Sequence, residues 1–103
     1  MTYHVADALA DTLIHHGVDR AFSVPGESFL PVLDALLDRP QIDLVTCRHE
    51  GSAALAAVAG ARLTGRPCVL FVSRGPGMVN ASIGVHVAQQ DALPLVVFVG
   101  QVD

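Results

Sequence analysis

Basic residues are few in this chain and never cluster. Six arginines and no lysine stand against ten acids, the net charge is −4, and no basic run occurs, so nothing points to nucleic acid as a partner. Long hydrophobic runs are missing too. The most apolar stretches, "CVLFVS" and "LPLVVFVG", fall far short of the roughly 20 residues that a membrane span needs. Cysteine is scarce. Cys47 and Cys68 form no C-x-x-C pair and no metal-ligand spacing, the pattern of two reduced, buried thiols in a cytoplasmic protein. The five histidines show no metal-ligand arrangement either. The opening "MTYHVADALADTL" has early acids and no Lys or Arg, unlike a secretory leader. The resulting expectations are a cytoplasmic location, no membrane and no metal site within the chain.

What the chain does have is apolar surface. Hydrophobic residues make up 51 % of its 103 positions and charged residues 16 %, too apolar a mixture for disorder. The length fits a single domain over 1–103. Val5, Ala8, Leu9, Thr12, Leu13 and His16 recur at helical spacing with Asp7 and Asp11 opposite, and Gly17 fits the helix stop. "RAFSV" (20–24) reads as a strand, and "PGES" as a turn in which Ser28 caps a second helix. The apolar set of that helix is Phe29, Val32, Leu33, Leu36 and Leu37, and Pro40 closes the unit. A second strand over 43–47, a helix over 50–63, a third strand over 68–73, a helix over about 78–90 and a fourth strand "LVVFVG" follow.

Strands thus alternate with helices, and the last two strands are continuous apolar runs. That pattern predicts an α/β fold: an open parallel sheet with helices on both faces, a three-layer flavodoxin- or Rossmann-like arrangement. Ending at "GQVD" straight after a strand suggests a truncated domain with a bare last strand. In such sheets ligands bind beyond the carboxyl ends of the strands. Any site should therefore be built from "PGES", "RHEG", "SRGPG" and "GQVD".

Glu50 opens the third helix directly after Arg48 and His49. An acid there suits the helix dipole without any further role. The helix behind it, "GSAALAAVAGA", is apolar nearly all round, and such a helix is buried on all sides. A chain this short has too little protein to do that, so a partner subunit or domain is expected over it. Glu50 would then lie at a covered interface. Burial and the helix N-terminus act on it there in opposite senses, a setting suited to a proton donor or acceptor.

"SRGPGMVN" follows a strand and opens a helix, as a phosphate loop would, but G-x-x-x-x-G-K-[ST] is absent. The dinucleotide pattern is met only as far as Gly75 and Gly77, with Asn80 in the third place and no acid about 20 residues on. A tight turn with close backbone approach is what remains. His15 and His16 suit a helix end, and His86, mid-helix, reads as a packing residue. No Ser/His/Asp arrangement is recognisable.

The ordered set "SVPGESFLPVLDAL", "RHEGSAALAAVAGARLTGRP" and "SRGPGMVNASIGVHVAQQDALPLVVFVGQV" resembles the N-terminal pyrimidine-binding domain of thiamine-diphosphate-dependent enzymes. The similarity covers nearly the whole chain and lies in the branch of acetolactate synthase and related 2-oxoacid carboligases and decarboxylases. It implies that Glu50 hydrogen-bonds N1′ of the aminopyrimidine and so favours its 4′-imino tautomer. That imino group takes the proton from thiazolium C2, and the ylid attacks a 2-oxoacid. It implies that Pro25 and Gly26 form the turn beside the pyrimidine ring, and that Ser73, Gly77 and Asn80 form the third-strand turn near it. Glu27, Ser28 and Gln101 fall on the substrate side. Glu27 departs from the Gly common there in acetolactate synthases, which leaves the substrate open.

The same resemblance places Mg2+ and the diphosphate on a second domain with a G-D-G motif followed by Asn residues, and no such motif occurs here. It therefore implies a partner, the diphosphate-binding domain of the same parent enzyme or of a neighbouring subunit, within a homo-oligomer (a dimer or tetramer). It also implies a fragment inactive alone, and leaves FAD open for the parent protein. Two alternatives stand beside it: a non-catalytic α/β interaction module in which Glu50 is only a cap, and a nucleotide-binding domain with affinity for NAD or ATP.

Overall fold

The computed structural model describes residues 2–102. Helix α1 spans Val5–His15, strand β1 Arg20–Ser23, and a 3-10 turn Glu27–Phe29 runs into α2, Leu30–Leu37. Then come β2 (Asp43–Thr46), α3 (Glu50–Thr64), β3 (Cys68–Ser73), α4 (Pro76–Gln90) and β4 (Leu95–Gly100). The sheet order is β2-β1-β3-β4 and every pair is parallel. Phe22 stands opposite Val45 on one side and Leu70 on the other, and Leu70 opposite Val97. The expected three-layer α/β architecture is what the chain adopts.

The chain steps outward from β1 to β2, then back across β1 to β3. This reversal puts the connecting helices on opposite faces. Alternate residues along the strands feed two cores. Ala21, Val69 and Phe71 face α1 and α2, whereas Phe22, Leu70 and Val72 face α3 and α4. Phe71 stacks between Phe29 and Phe98, with ring centroids 6.0 and 5.1 Å away. Burying one such ring contributes about 1.5–3 kcal/mol. β3 is covered on both faces, as its unbroken apolar run predicts. β4 is not. It lies at the sheet edge, half-buried, with Val96 39 % exposed.

Small residues set the spacing of the second layer. α4 turns Gly77, Ala81, Gly84 and Ala88 inward, and α3 answers with Ala53, Ala54, Ala57 and Ala61. A Cβ on Gly84 would collide with the side chain and backbone of Ala54. α3 is buried along this face only. Ser52, Leu55, Ala59 and Leu63 are exposed along the other, so within the chain the helix is not enclosed as its composition predicts. α3 stops at Gly65, whose φ of 69° is the left-handed conformation that glycine adopts freely.

Several local expectations need correction. Ser28 caps no helix. Phe29 holds the N-cap position of α2 without a side-chain bond, and the Ser28 hydroxyl is buried with no partner among the described residues. His86 is exposed, not packed, because Gly84 and Ala88 form the packing stripe of its helix. In α1, Val5, Thr12 and His16 are exposed, and the inner face is Ala6, Leu9, Ala10 and Leu13. Leu37 of α2 is exposed too. Asp7 and Asp11, set opposite the apolar residues as expected, pair with Arg39, just past α2, at 3.1 and 2.6 Å. Cys68 is buried, as expected, and burial pushes its thiol up; Cys47 is only half-buried.

Candidate functional site

All the strands are parallel, so the segments that leave them meet along one edge of the sheet. Between β1 and β3 the strand order reverses, which is where open α/β sheets bind ligands. Gly26 leaves β1 there in an extended conformation, φ −148°. Space, not conformation, requires glycine: a Cβ would land on the Ser73 hydroxyl at the end of β3 and lie 3.3 Å from the Phe29 ring. Beyond Ser73 the chain turns through Gly75, at φ 64°, with Pro76 opening α4.

Gly77, one residue further, is buried. A Cβ on it would lie 3.4 Å from Oε2 of Glu50 and 3.4 Å from the Ser73 Cβ. The missing side chain thus leaves a methyl-sized gap beside the Glu50 carboxylate. Glu50 is the first residue of α3 and is half-buried. Its other oxygen, Oε1, accepts a hydrogen bond from the Asn80 side-chain amide at 3.2 Å. Glu50, Ser73, Gly77 and Asn80 therefore form one cluster, with Gly26 against Ser73.

Of the remaining residues expected from the sequence, Glu27 and Ser28 border this cluster at Ser73, whereas Pro25 and Gln101 line hollows that no member of it shares. Pro25, Glu27 and Gln101 are exposed. Glu27 and Ser28 line a hollow of about 380 Å³ with Ser73, Arg74 and Pro76. Ser28 and Gln101 line a second, about 370 Å³, against Phe29, Phe71 and Phe98. A third hollow, about 430 Å³, lies between α2 and β2 under Leu30, Leu33, Leu37 and Leu44, and no member of the Glu50 cluster lines it.

His49 is the neighbour of Glu50 whose structural role sequence patterns miss. It is the N-cap of α3, and its Nδ1 accepts the Gly51 N–H at 2.9 Å. Histidine is outside the usual capping set of Ser, Thr, Asp and Asn, so only its place before Glu50 hints at the role. A carboxylate with one oxygen held by an amide and the other beside a glycine gap can share a proton with a flat nitrogen heterocycle. Bare backbone at Gly77 lets a planar group come up to that carboxylate without meeting a side chain from α4, whereas at Gly26 the glycine makes room for Ser73. Among the described residues no group of three or more His, Cys, Asp or Glu could hold a metal ion, and no helix is long and apolar enough to cross a membrane.

Comparison with known proteins matches residues 3–103 to the family described as thiamine pyrophosphate enzyme, N-terminal TPP binding domain. The acetolactate synthase large subunit of Parasynechococcus marenigrum is 43 % identical over 100 residues, covering 94 % of this chain and 16 % of that protein. The mitochondrial acetolactate synthase of Schizosaccharomyces pombe is 41 % identical over 92 residues, 89 % of this chain and 14 % of that protein. Acetolactate synthase isozyme 3 large subunit of Escherichia coli is 42 % identical over 97 residues, 94 % of this chain and 17 % of that protein. The chain thus spans about one sixth of the length of these relatives.

Proposed function

The chain belongs to the thiamine pyrophosphate enzyme family as its N-terminal TPP binding domain, and we propose that residues 1–103, as one partial domain, hold the aminopyrimidine ring of thiamine diphosphate in an acetolactate synthase-like enzyme acting on 2-oxoacids. The observation that carries this reading is the placement of Oε2 of Glu50 beside the gap at Gly77. Glu50 is not serving as a helix cap. His49 does that, and the Glu50 side chain bonds Asn80 on the neighbouring helix instead.

In this reading Asn80 orients the carboxylate by holding Oε1, and Oε2 gives and takes the proton at the ring nitrogen. Fixed geometry of this kind is what proton transfer by a side chain requires. Ser73, Gly77, Gly26 and Pro25 shape the ring's seat, and Glu27, Ser28 and Gln101 stand toward the substrate. When bound, thiamine diphosphate supplies the electron sink for bond making and breaking next to a carbonyl. The diphosphate and Mg2+ belong to a further domain of the parent enzyme or of a neighbouring subunit, in a homo-oligomer. Any FAD belongs to the parent as well. A cytoplasmic location completes the proposal, against the mitochondrial designation of the Schizosaccharomyces pombe relative.

Gly77→Ala tests the seat in the complete enzyme. The new methyl would meet its neighbours at 3.4–3.9 Å, ordinary contact, and alanine favours a helix over glycine by about 1 kcal/mol. Thermal stability should hold or rise, while thiamine diphosphate affinity falls by about tenfold or more, roughly 1.4 kcal/mol. Unchanged affinity in the folded variant would refute the seat.

A further inference from the structure

Most arginines of this chain are neutralised in place. Arg20 pairs with Asp43 at 3.8 Å, Arg39 with Asp7 and Asp11, Arg62 with Asp91, and Arg66 with Asp19 at 2.9 Å. Arg48 and Arg74 have no acidic partner among the described residues. Both are exposed, and both follow a strand at the edge of the sheet where the site lies. An unpaired guanidinium keeps its fork of N–H donors free, and that fork matches the two oxygens of a carboxylate.

Arg74 borders the Glu50 cluster. It lines the hollow of about 380 Å³ together with Glu27, Ser28, Ser73 and Pro76. Ser73 joins the two: a Cβ on Gly77 would lie 3.4 Å from both the Ser73 Cβ and Oε2 of Glu50. Two further features favour an anion in the hollow. Pro76 opens α4 behind Gly75, an N-cap with no side-chain bond, and the first turn holds no acid. The positive end of that helix is therefore uncompensated. Ser28 has a buried hydroxyl with no partner among the described residues, and a carboxylate oxygen is an acceptor for it. Glu27 is the opposing charge. It is exposed, lines the same hollow and makes no ion pair with Arg74. An acid so placed weakens the pull on an anion and disfavours a second anionic group.

We infer that Arg74 anchors the substrate carboxylate in the hollow between the Gly26 turn and the start of α4, beside the ring seat. The identity of that substrate as a 2-oxoacid rests on the function proposed above. Arg74 then selects acids over neutral carbonyl compounds, and Glu27 limits the grip to a single carboxylate.

The test is steady-state kinetics of the complete enzyme with pyruvate as the probe, in wild type, Arg74→Gln, Arg74→Lys and Glu27→Gln. Arg74→Gln should raise KM by about tenfold or more, the scale of a hydrogen bond to a charged group, with kcat changed less. Arg74→Lys keeps a point charge without the fork and should fall between the two. Glu27→Gln removes the opposing charge and should lower KM. Added salt should raise the wild-type KM and leave that of Arg74→Gln nearly flat. Arg74 is exposed and unpaired, so Arg74→Gln should melt with the wild type; a purely structural arginine would not. An unmoved KM in Arg74→Gln, a fall in kcat alone, or a KM raised by Glu27→Gln would each overturn the inference. Proton exchange at C2 of bound thiamine diphosphate needs no 2-oxoacid and reads the thiamine assignment separately. If Glu50→Gln slows that exchange while Arg74→Gln leaves KM in place, only the carboxylate anchor falls. A complete enzyme that neither binds nor turns over pyruvate overturns the anchor together with the substrate reading.

Discussion

Asn80 donates its side-chain amide to Oε1 of Glu50 at 3.2 Å, joining positions 30 residues apart on two helices. The bond leaves Oε2 as the oxygen beside the Gly77 gap. Asn80 is exposed, so Asn80→Ala should cost no more than about 1 kcal/mol of stability, the usual net value of one hydrogen bond. In the complete enzyme it should still slow proton exchange at C2 of bound thiamine diphosphate, though less than loss of Glu50 does. Asn80→Asp replaces the donor with a like charge facing Glu50 and should slow that exchange at least as much as Asn80→Ala. Exchange unaltered in both variants would remove Asn80 from the site.

Gly84→Ala probes the contact that brings α4 onto α3. A Cβ there would approach the Ala54 backbone at 2.8 and 3.0 Å, and backbone cannot swing away. Overpacking of this kind costs about 1–3 kcal/mol, against about 1 kcal/mol gained in helix propensity. Urea denaturation should show a net loss. A neutral or stabilised variant would mean that the helices separate easily.

Ser28→Ala distinguishes a cap from an orphan. Its hydroxyl is buried and unpartnered among the described residues, and an unsatisfied buried group costs stability. The variant should be as stable as the parent or more so. A loss of about 1 kcal/mol, typical of a removed cap, would restore the capping role.

The ion pairs at Arg39 set an acid limit. The His4 N–H, and then the Arg39 guanidinium, hold Asp7 below the usual carboxylate range. Arg39, then the Tyr3 hydroxyl, do so for Asp11. Both carboxylates bind a proton less readily folded than unfolded. Their contribution is therefore full above the unfolded value, about 3.9, and fades as pH falls through the lower folded values. The urea midpoint should drop below about pH 4, and Arg39→Met should lower it at neutral pH and flatten the acid limb. An acid limb of unchanged steepness in Arg39→Met would contradict this assignment.

The layout was legible because it rests on local patterns. Unbroken apolar strands, helical spacing and the glycine at position 17 mark their elements from neighbours alone. Ser28 misled because a serine before an apolar helix is the ordinary capping signal. Here a Cβ on Gly100 would collide with Ser28, and that long-range crowding at the end of β4 accompanies a 3-10 turn in place of the cap. His86 misled because hydrophobic periodicity has little contrast in a helix whose packing face is glycine and alanine. Glu50 could be singled out, but not its bond to Asn80, since nothing local ties positions 50 and 80. The His49 cap was hidden because imidazole rarely fills that position.

Glu50→Gln tests the central assignment most directly. Deuterium exchange at the C2 position of bound thiamine diphosphate is measured in the complete enzyme, wild type against variant, with cofactor binding confirmed in both. A glutamate that shares its proton with the pyrimidine predicts a fall of about 100-fold or more, the scale of a lost proton-transfer group. Equal exchange rates in a variant that still binds the cofactor would contradict it.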